Sequence, residues 1–207
     1  MDLTSTLVGI PLGILTSLVA WWVLFHRIVP KIEFSPDISK FYFQNLGMKY
    51  RIKFRNSGRR GIIDMEVFPI LRIRGLNHQL PDNLFNIRLN TSLINNRISN
   101  LKENRVITLL PENTPKFGEN IFPEYIREKY QSKELNLEDL FKIRNDVKLV
   151  IEVFGYDEFS GARKLFSSKP YTIKDIQYGT FDHTFSIDKT GLKVIEKPQA
   201  HGKGDAS

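Results

Sequence analysis

The sequence predicts a mainly β chain, an antiparallel β-sandwich preceded by one N-terminal transmembrane α-helix. Two observations carry this. The 23 residues from Leu3 to Phe25 hold no charge, whereas after Pro30 about eight short segments place apolar residues at every second position. With 207 residues, 41% hydrophobic and 26% charged, the chain suits one globular domain with material to spare. The expected organisation is an anchor helix over 1–28, a β domain over 29–197 and a disordered tail over 198–207, where "PQAHGKGDAS" is small and polar.

At 1.5 Å per residue the uncharged stretch exceeds the roughly 30 Å of a bilayer's hydrocarbon core. Its start, "MDLTST", lacks a positive n-region, and its end, "WWVLFHR", lacks a small-x-small cleavage site. These features predict a retained anchor rather than a signal peptide. Trp21 and Trp22, followed by Arg27 and Lys31, match a membrane interface. No cation precedes the helix, while Arg27, Lys31, Lys40, Lys49 and Arg51 follow it. The rest of the chain is therefore expected on the cytoplasmic side, at the inner membrane if the source is bacterial. Gly9, Gly13 and Ser17 recur every four residues and mark a stripe for helix–helix packing. Pro11 lies between the glycines, where a kink is expected.

In "YRIKFRN", Tyr50, Ile52 and Phe54 alternate with Arg51, Lys53 and Arg55, the pattern of a half-buried strand. "SGRRG" follows as a turn. "IIDMEVFPILRIRG" predicts a long strand with Ile63, Met65, Val67, Leu71 and Ile73 on one face and an edge or bulge at Pro69. "LFNIRL", "RVITLL", "VKLVIEVFG", "ARKLFSS", "GTFDHTFSI" and "GLKVIEK" supply further strands. Gly155 is expected to end its strand, and Gly161 to take a positive φ in the hairpin that follows. Two segments break the rhythm. The polar, proline-bearing run from Pro111 to Glu134 predicts an Ω-like insertion or an interaction surface. "LNLEDLFKI" predicts a short helix capped by Asn136.

Cysteine is absent, which excludes disulfides, thiolate catalysis and cysteine-ligated metals. His26, His78, His183 and His201 are scattered, with no pair at ligand spacing. No glycine-rich phosphate loop or nucleophile elbow is present, so neither a catalytic residue, a metal nor a cofactor is expected. The net charge of +7 suits anionic lipid and nucleic acid about equally. The candidate contacts are Arg51, Lys53 and Arg55 on one strand face and Arg59 and Arg60 in the turn, with Arg72 and Arg74 on a neighbouring strand. Tyr50 and Phe54 fall on the opposite face from this charge, which argues against nucleic acid.

Three runs resemble the cytoplasmic domain of inward-rectifier potassium channels over roughly residues 27–187. They are "HRIVPKIEFSPDISK" with Phe34-Ser35, "YRIKFRNSGRRGIIDMEVFPILRI" with Arg55-Asn56 and Arg59-Arg60, and "LVIEVFGYDEFSGARKLFSSKPYTIKDIQYGTF". The last carries Ser160-Gly161, Ala162-Arg163, Ser168 with Tyr171, Asp175-Ile176 and Gly179. The resemblance implies an immunoglobulin-like sandwich that assembles as a four-fold ring and responds to anionic lipids or cytoplasmic ligands. Those channels have a second membrane helix, a pore helix and a filter, for which this chain has no counterpart, so potassium conduction is not carried over. The expected function is a non-enzymatic, single-pass membrane protein whose sandwich oligomerises, with a tetramer favoured. It would act as a ligand-sensing or interaction module coupled to the membrane helices, extending to the opening or gating of a pore or lesion. The alternative is a structural accessory subunit that docks on a partner protein through the sandwich.

Overall fold

A computed structural model describes residues 3–24, 28–44, 46–76, 82–92, 97–98 and 103–188, with side chains in the first helix from residue 9 onward. "GLKVIEK", the tail from Pro198, Arg27, His26 and His78 lie outside the described residues.

Helix α1 runs from Leu3–Trp22 and contains Pro11. Its residues 9–22 are exposed on every face, with Leu12 61% and Trp21 55% accessible. The Thr16 hydroxyl donates to the Leu12 carbonyl at 2.7 Å, so this polar side chain is satisfied within the helix itself. Beyond Trp22 the helix widens, and the Ile28 N–H donates to the Val23 carbonyl at 3.1 Å. Among the described residues, no helix is long and apolar enough to cross a membrane.

The rest is mainly β, built from several antiparallel sheets. β1 (Ile32–Phe34), β2 (Ile38–Phe43), β3 (Gly47–Asn56), β6 (Asn90–Ser92), β7 (Asn104–Leu110) and β10 (Ile176–Tyr178) form one six-stranded sheet in the order β10-β2-β3-β7-β6, with β1 also on β3. A second sheet has the order β5-β4-β8-β9, from β4 (Ile62–Arg74), β5 (Leu84–Arg88), β8 (Lys148–Asp157) and β9 (Arg163–Ser167). β11 (Thr180–Phe181) and β12 (Ile187–Asp188) make a small hairpin. Among the described residues all strand pairings are antiparallel except β10 with β2. The buried faces of both large sheets supply one core, in which Ile52, Phe54 and Ile107 from the first join Leu71, Leu149 and Ile151 from the second. Tyr171 ties the sheets together: its backbone pairs with Leu149 and its hydroxyl donates to the Ser35 carbonyl at 2.6 Å. Burial pushes this phenol's pKa far up.

Tyr50, Ile52 and Phe54 all face the core, as the alternation requires. The long strand departs from expectation at its start. The register between β4 and β8 shifts between Ile63 and Glu66, so the bulge lies at Asp64-Met65 and not at Pro69. Asp64 there takes φ 49°. This extra residue reverses the inward phase, and Ile62 rather than Ile63 is buried. Pro69 sits inside β4, opposite Ile151 of β8, and its carbonyl accepts from the Leu89 N–H at 2.9 Å just past the end of β5.

Gly155 does not end its strand; β8 continues through Tyr156 to Asp157. The glycine faces the bulge, where a Cβ would meet the Ile62 side chain and lie 3.0 Å from the Ile63 carbonyl. Gly161 takes φ 64° in the β8–β9 turn, as its place in the hairpin predicts.

The segment 111–134 is neither an open loop nor wholly a surface. It holds 3-10 turns at Pro111–Asn113 and Pro115–Gly118 and helix α2 (Glu124–Gln131). Its Phe117, Phe122 and Ile126 are buried in the core. Helix α3 (Leu137–Phe141) follows, with the Asn136 side chain accepting from the Asp139 N–H and Asp139 reaching back in a capping box.

Candidate functional site

The end of the β domain that receives α1 gathers four of the sequence-predicted residues, Lys31, Arg55, Arg59 and Arg60. Asn56 ends β3 and organises the turn after it. Its Oδ1 accepts from the N–H groups of Lys31 at 3.1 Å and Gly58 at 2.9 Å, and its Nδ2 donates to the Arg60 carbonyl. The Ser57 N–H donates to the Lys31 carbonyl at 2.8 Å. The chain leaving α1 is thus held against the β3–β4 turn, and a Cβ on Gly58 would lie 2.7 Å from Pro30 Cα. Only glycine permits backbones this close.

Arg60 and Asp157 complete the joint across the sheets. Their side chains are 8% and 2% exposed and 3.4 Å apart. Asp157 also accepts from the backbone N–H groups of Phe159 at 3.0 Å and Ser160 at 3.4 Å. Burial alone would raise its pKa, but these donors and the Arg60 charge hold it below the ordinary carboxylate range. On its other side the Arg60 guanidinium lies 4.2 Å from the centre of the Phe159 ring. Phe159, at the tip of the β8–β9 hairpin, is 69% exposed.

Of the four basic residues of β3, the predicted contacts Arg51, Lys53 and Arg55 alternate with the core-facing Tyr50, Ile52 and Phe54, but they are not equivalent. Lys53 is buried, and its ammonium donates to the Asp182 carbonyl at 2.6 Å and to the Thr184 carbonyl, so it is already engaged. Burial draws its pKa down. Arg55 grips Glu33 with two nitrogens at 3.1 and 2.9 Å and stacks on Phe185 at 4.6 Å. Arg51 stacks on Phe43 at 5.0 Å, and its Nε is buried with no hydrogen-bond partner among the described residues. Arg72 pairs with Glu152 at 3.1 Å.

Aromatic rings therefore do accompany the basic strand. Phe41, Phe43 and Phe185 reach it from neighbouring elements, where alternation along β3 alone could not show them. The visible signal was "FYF" at 41–43, whose outward residues pair in register opposite Lys49 and Gly47.

At the opposite end of β3 a polar cleft of about 400 Å³ opens between β2–β3 and the segment after α2. Lys40 and Glu138 meet at 2.7 Å across it, and Lys49 pairs with Glu112. Lys133 and Glu134 line the rim. Tyr50 lies at the floor, its pKa pushed up by burial and by the Glu138 and Asp139 charges. Here α2 was missed by sequence reasoning. Pro123 before an acidic first turn, with Ile126 and Tyr130 four apart on one face, was the signal available.

On α1 the residues Gly9, Gly13 and Ser17 do share one face, and with Ile10, Ile14 and Trp21 they line a shallow groove. A Cβ on either glycine would meet no atom within 4 Å. Trp22 stands at the same end of the helix as Trp21 and is 48% exposed. Among the described residues no three His, Asp or Glu side chains gather to hold a metal ion. No protein-family model matches the chain, and no curated protein matches it.

Proposed function

We propose that the chain is a non-enzymatic, single-pass membrane protein whose inward-rectifier-like, immunoglobulin-like sandwich is cytoplasmic. In this reading the protein assembles as a homotetramer and couples ligand or partner binding on the β domain to the packing of its membrane helices. The observation that carries the proposal is α1. Its 20 residues, Leu3–Trp22, include no charge, and the described side chains are exposed all round. An apolar helix exposed on every face gains by entering hydrocarbon or meeting its own copies. The groove at Gly9, Gly13 and Ser17 supports close helix approach.

Several residues that carry the resemblance to the channel domain hold structural positions here. Ser35 and Tyr171 link the sheets, and Asn56 and Arg60 make the joint. Lipid contact suits Arg59 and Arg55 at the α1 end of β3 better than Arg51, four residues farther along a strand that rises about 3.3 Å per residue.

The test is native mass measurement of the full chain in detergent and in lipid discs. Tetramers, weakened by Gly13→Ile, are the expected outcome; monomer alone sinks the reading. Dye release from liposomes carrying the protein tests the further step to a pore or lesion.

The polar cleft favours a second reading, an accessory subunit that docks a partner protein. Deleting the insertion cannot test it, because Phe117, Phe122 and Ile126 belong to the core. Charge reversal at Lys133 and Glu134 on the rim should instead abolish co-purification of the partner with the fold intact. Unchanged co-purification refutes this use of the cleft.

A further inference from the structure

Arginine carries its N–H donors in one plane and keeps its charge at any ordinary pH. Of the described arginines that are at least partly buried, Arg55, Arg60, Arg72, Arg105 and Arg127 each donate to a carboxylate, carbonyl or amide oxygen. Arg51 is partly buried too, yet it makes no hydrogen bond and no ion pair among the described residues, and its Nε is out of contact with water. A buried donor without an acceptor is costly, and such groups are rare unless something else uses them.

The plane of this guanidinium is nevertheless held. It lies 5.0 Å from the centre of the Phe43 ring and 5.9 Å from that of Phe41, and the two rings meet edge to face at 5.1 Å. Phe43 pairs in register with Gly47, so β3 sets no side chain opposite that ring, and the long Arg51 side chain has room to lie over it.

The charges nearby are already matched. Lys49 pairs with Glu112, Arg55 holds Glu33, and Lys53 donates to the Asp182 and Thr184 carbonyls in the field of the Asp182 charge. The Asp182 carboxylate accepts from the Thr184 N–H and hydroxyl, Asp188 is itself engaged, and on the cleft rim Glu134 stands beside Lys133. These groups balance one another. What remains over is the Arg51 charge, which no carboxylate answers; burial draws its pKa down.

We propose that Arg51 holds a water-soluble oxyanion, a carboxylate or a phosphate ester, through its two terminal nitrogens, with Phe41 and Phe43 keeping the guanidinium flat. Because Nε is buried, the anion approaches end-on, and the planar fork meets two oxygens of one group. Stacking on the rings fixes the rotamer before binding, so less freedom is lost when the anion arrives. This names a ligand class for the sensing role proposed above and rests on that reading only for what binding then does.

The test is a titration of the full-length chain in detergent micelles with inorganic phosphate, phenyl phosphate and benzoate, each against sodium chloride of equal ionic strength. Isotope-labelled arginine reports the Arg51 Nε–H resonance, assigned by its loss in Arg51→Gln. Saturation transfer to the phenyl protons of the two aromatic probes measures binding in the variants. The expected result is a saturable Arg51 shift with at least one oxyanion, at a Kd of about 1 mM or below, and none with chloride. Arg51→Lys keeps the charge without the fork and should weaken binding several-fold. Phe43→Leu, which frees the plane, should weaken it with the charge unchanged.

Binding as tight to Arg51→Gln as to the parent places the anion elsewhere and overturns the proposal. So does a parent shift that never saturates or that chloride reproduces. A shift on transfer to phosphatidylglycerol discs, with none from the free anions, makes Arg51 a lipid contact and also overturns it. Retained β circular dichroism and an unmoved Arg60 resonance establish that each variant is folded. Assembly is read apart from this: saturable binding by a monomer sinks the tetramer and leaves the site, whereas a tetramer without binding does the reverse.

Discussion

The two ends of β3 are held together by different chemistry. At the α1 end the ties are buried: Arg60 and Asp157 are 8% and 2% exposed, Asn56 is buried, and Gly58 and Gly155 sit where no Cβ fits. At the cleft end the ties are lysine–glutamate pairs on a polar rim, with Lys40 and Glu138 at 21% and 29% exposure. Buried charge is costly when a partner is removed, whereas partly solvated pairs are screened by water. The α1 end is thus expected to be the more rigid joint, and the cleft end the more easily disrupted.

The sharpest break of this contrast is Asp157→Ala. It strands Arg60 in a buried site and removes the acceptor for two turn N–H groups, and a destabilisation of about 3–5 kcal/mol is expected. Denaturant unfolding of the full chain in micelles measures it, and a loss no larger than that from a rim substitution refutes the rigid joint. Acid probes the same contact. Because the folded pKa of Asp157 is lowered, its contribution is fully present above the unfolded value of about 3.9. It is lost as pH falls through the lower folded value. The Asp157→Ala chain should therefore lose less stability than the parent on going from neutral pH into that acid range.

Gly58→Ala comes next. Its methyl would press on backbone atoms of Val29–Lys31, and overpacking of this kind costs about 1–3 kcal/mol. Amide exchange should show the protection lost at Ser57, whose N–H is bonded to Lys31. Unchanged protection there argues that the segment after α1 is not clamped.

The smallest effect is expected at the cleft. Glu138→Gln removes the partner of Lys40 and should cost below about 1 kcal/mol, shrinking further in salt. A loss like that of Asp157→Ala would erase the difference between the ends.

How far each end was legible in the sequence follows the same division. Local rules reach local features: alternation placed Tyr50, Ile52 and Phe54 inside, a capping pattern placed Asn136, and a hairpin rule gave Gly161 its positive φ. The candidate site was only half visible. Arg59 and Arg60 stood out as a basic turn, yet nothing nearby in sequence shows that Arg60 is buried against Asp157, 97 residues away. Lys53 read as a surface cation, but the carbonyls that cover it belong to residues 182 and 184.

Composition and periodicity determined by themselves the uncharged N-terminal stretch, the β character of the remainder, the absence of cysteine chemistry and the inward residues of β3. These are properties of single segments, set by side-chain hydropathy and a strand's two-residue repeat. The tertiary structure alone decided the bulge at Asp64-Met65, the folding of 111–134 into the core, and which arginines are engaged. It also brought the segment after α1, the β3–β4 turn and Phe159 to one end. Each depends on partners far apart in the chain, and their meeting is fixed by register between strands and burial between sheets.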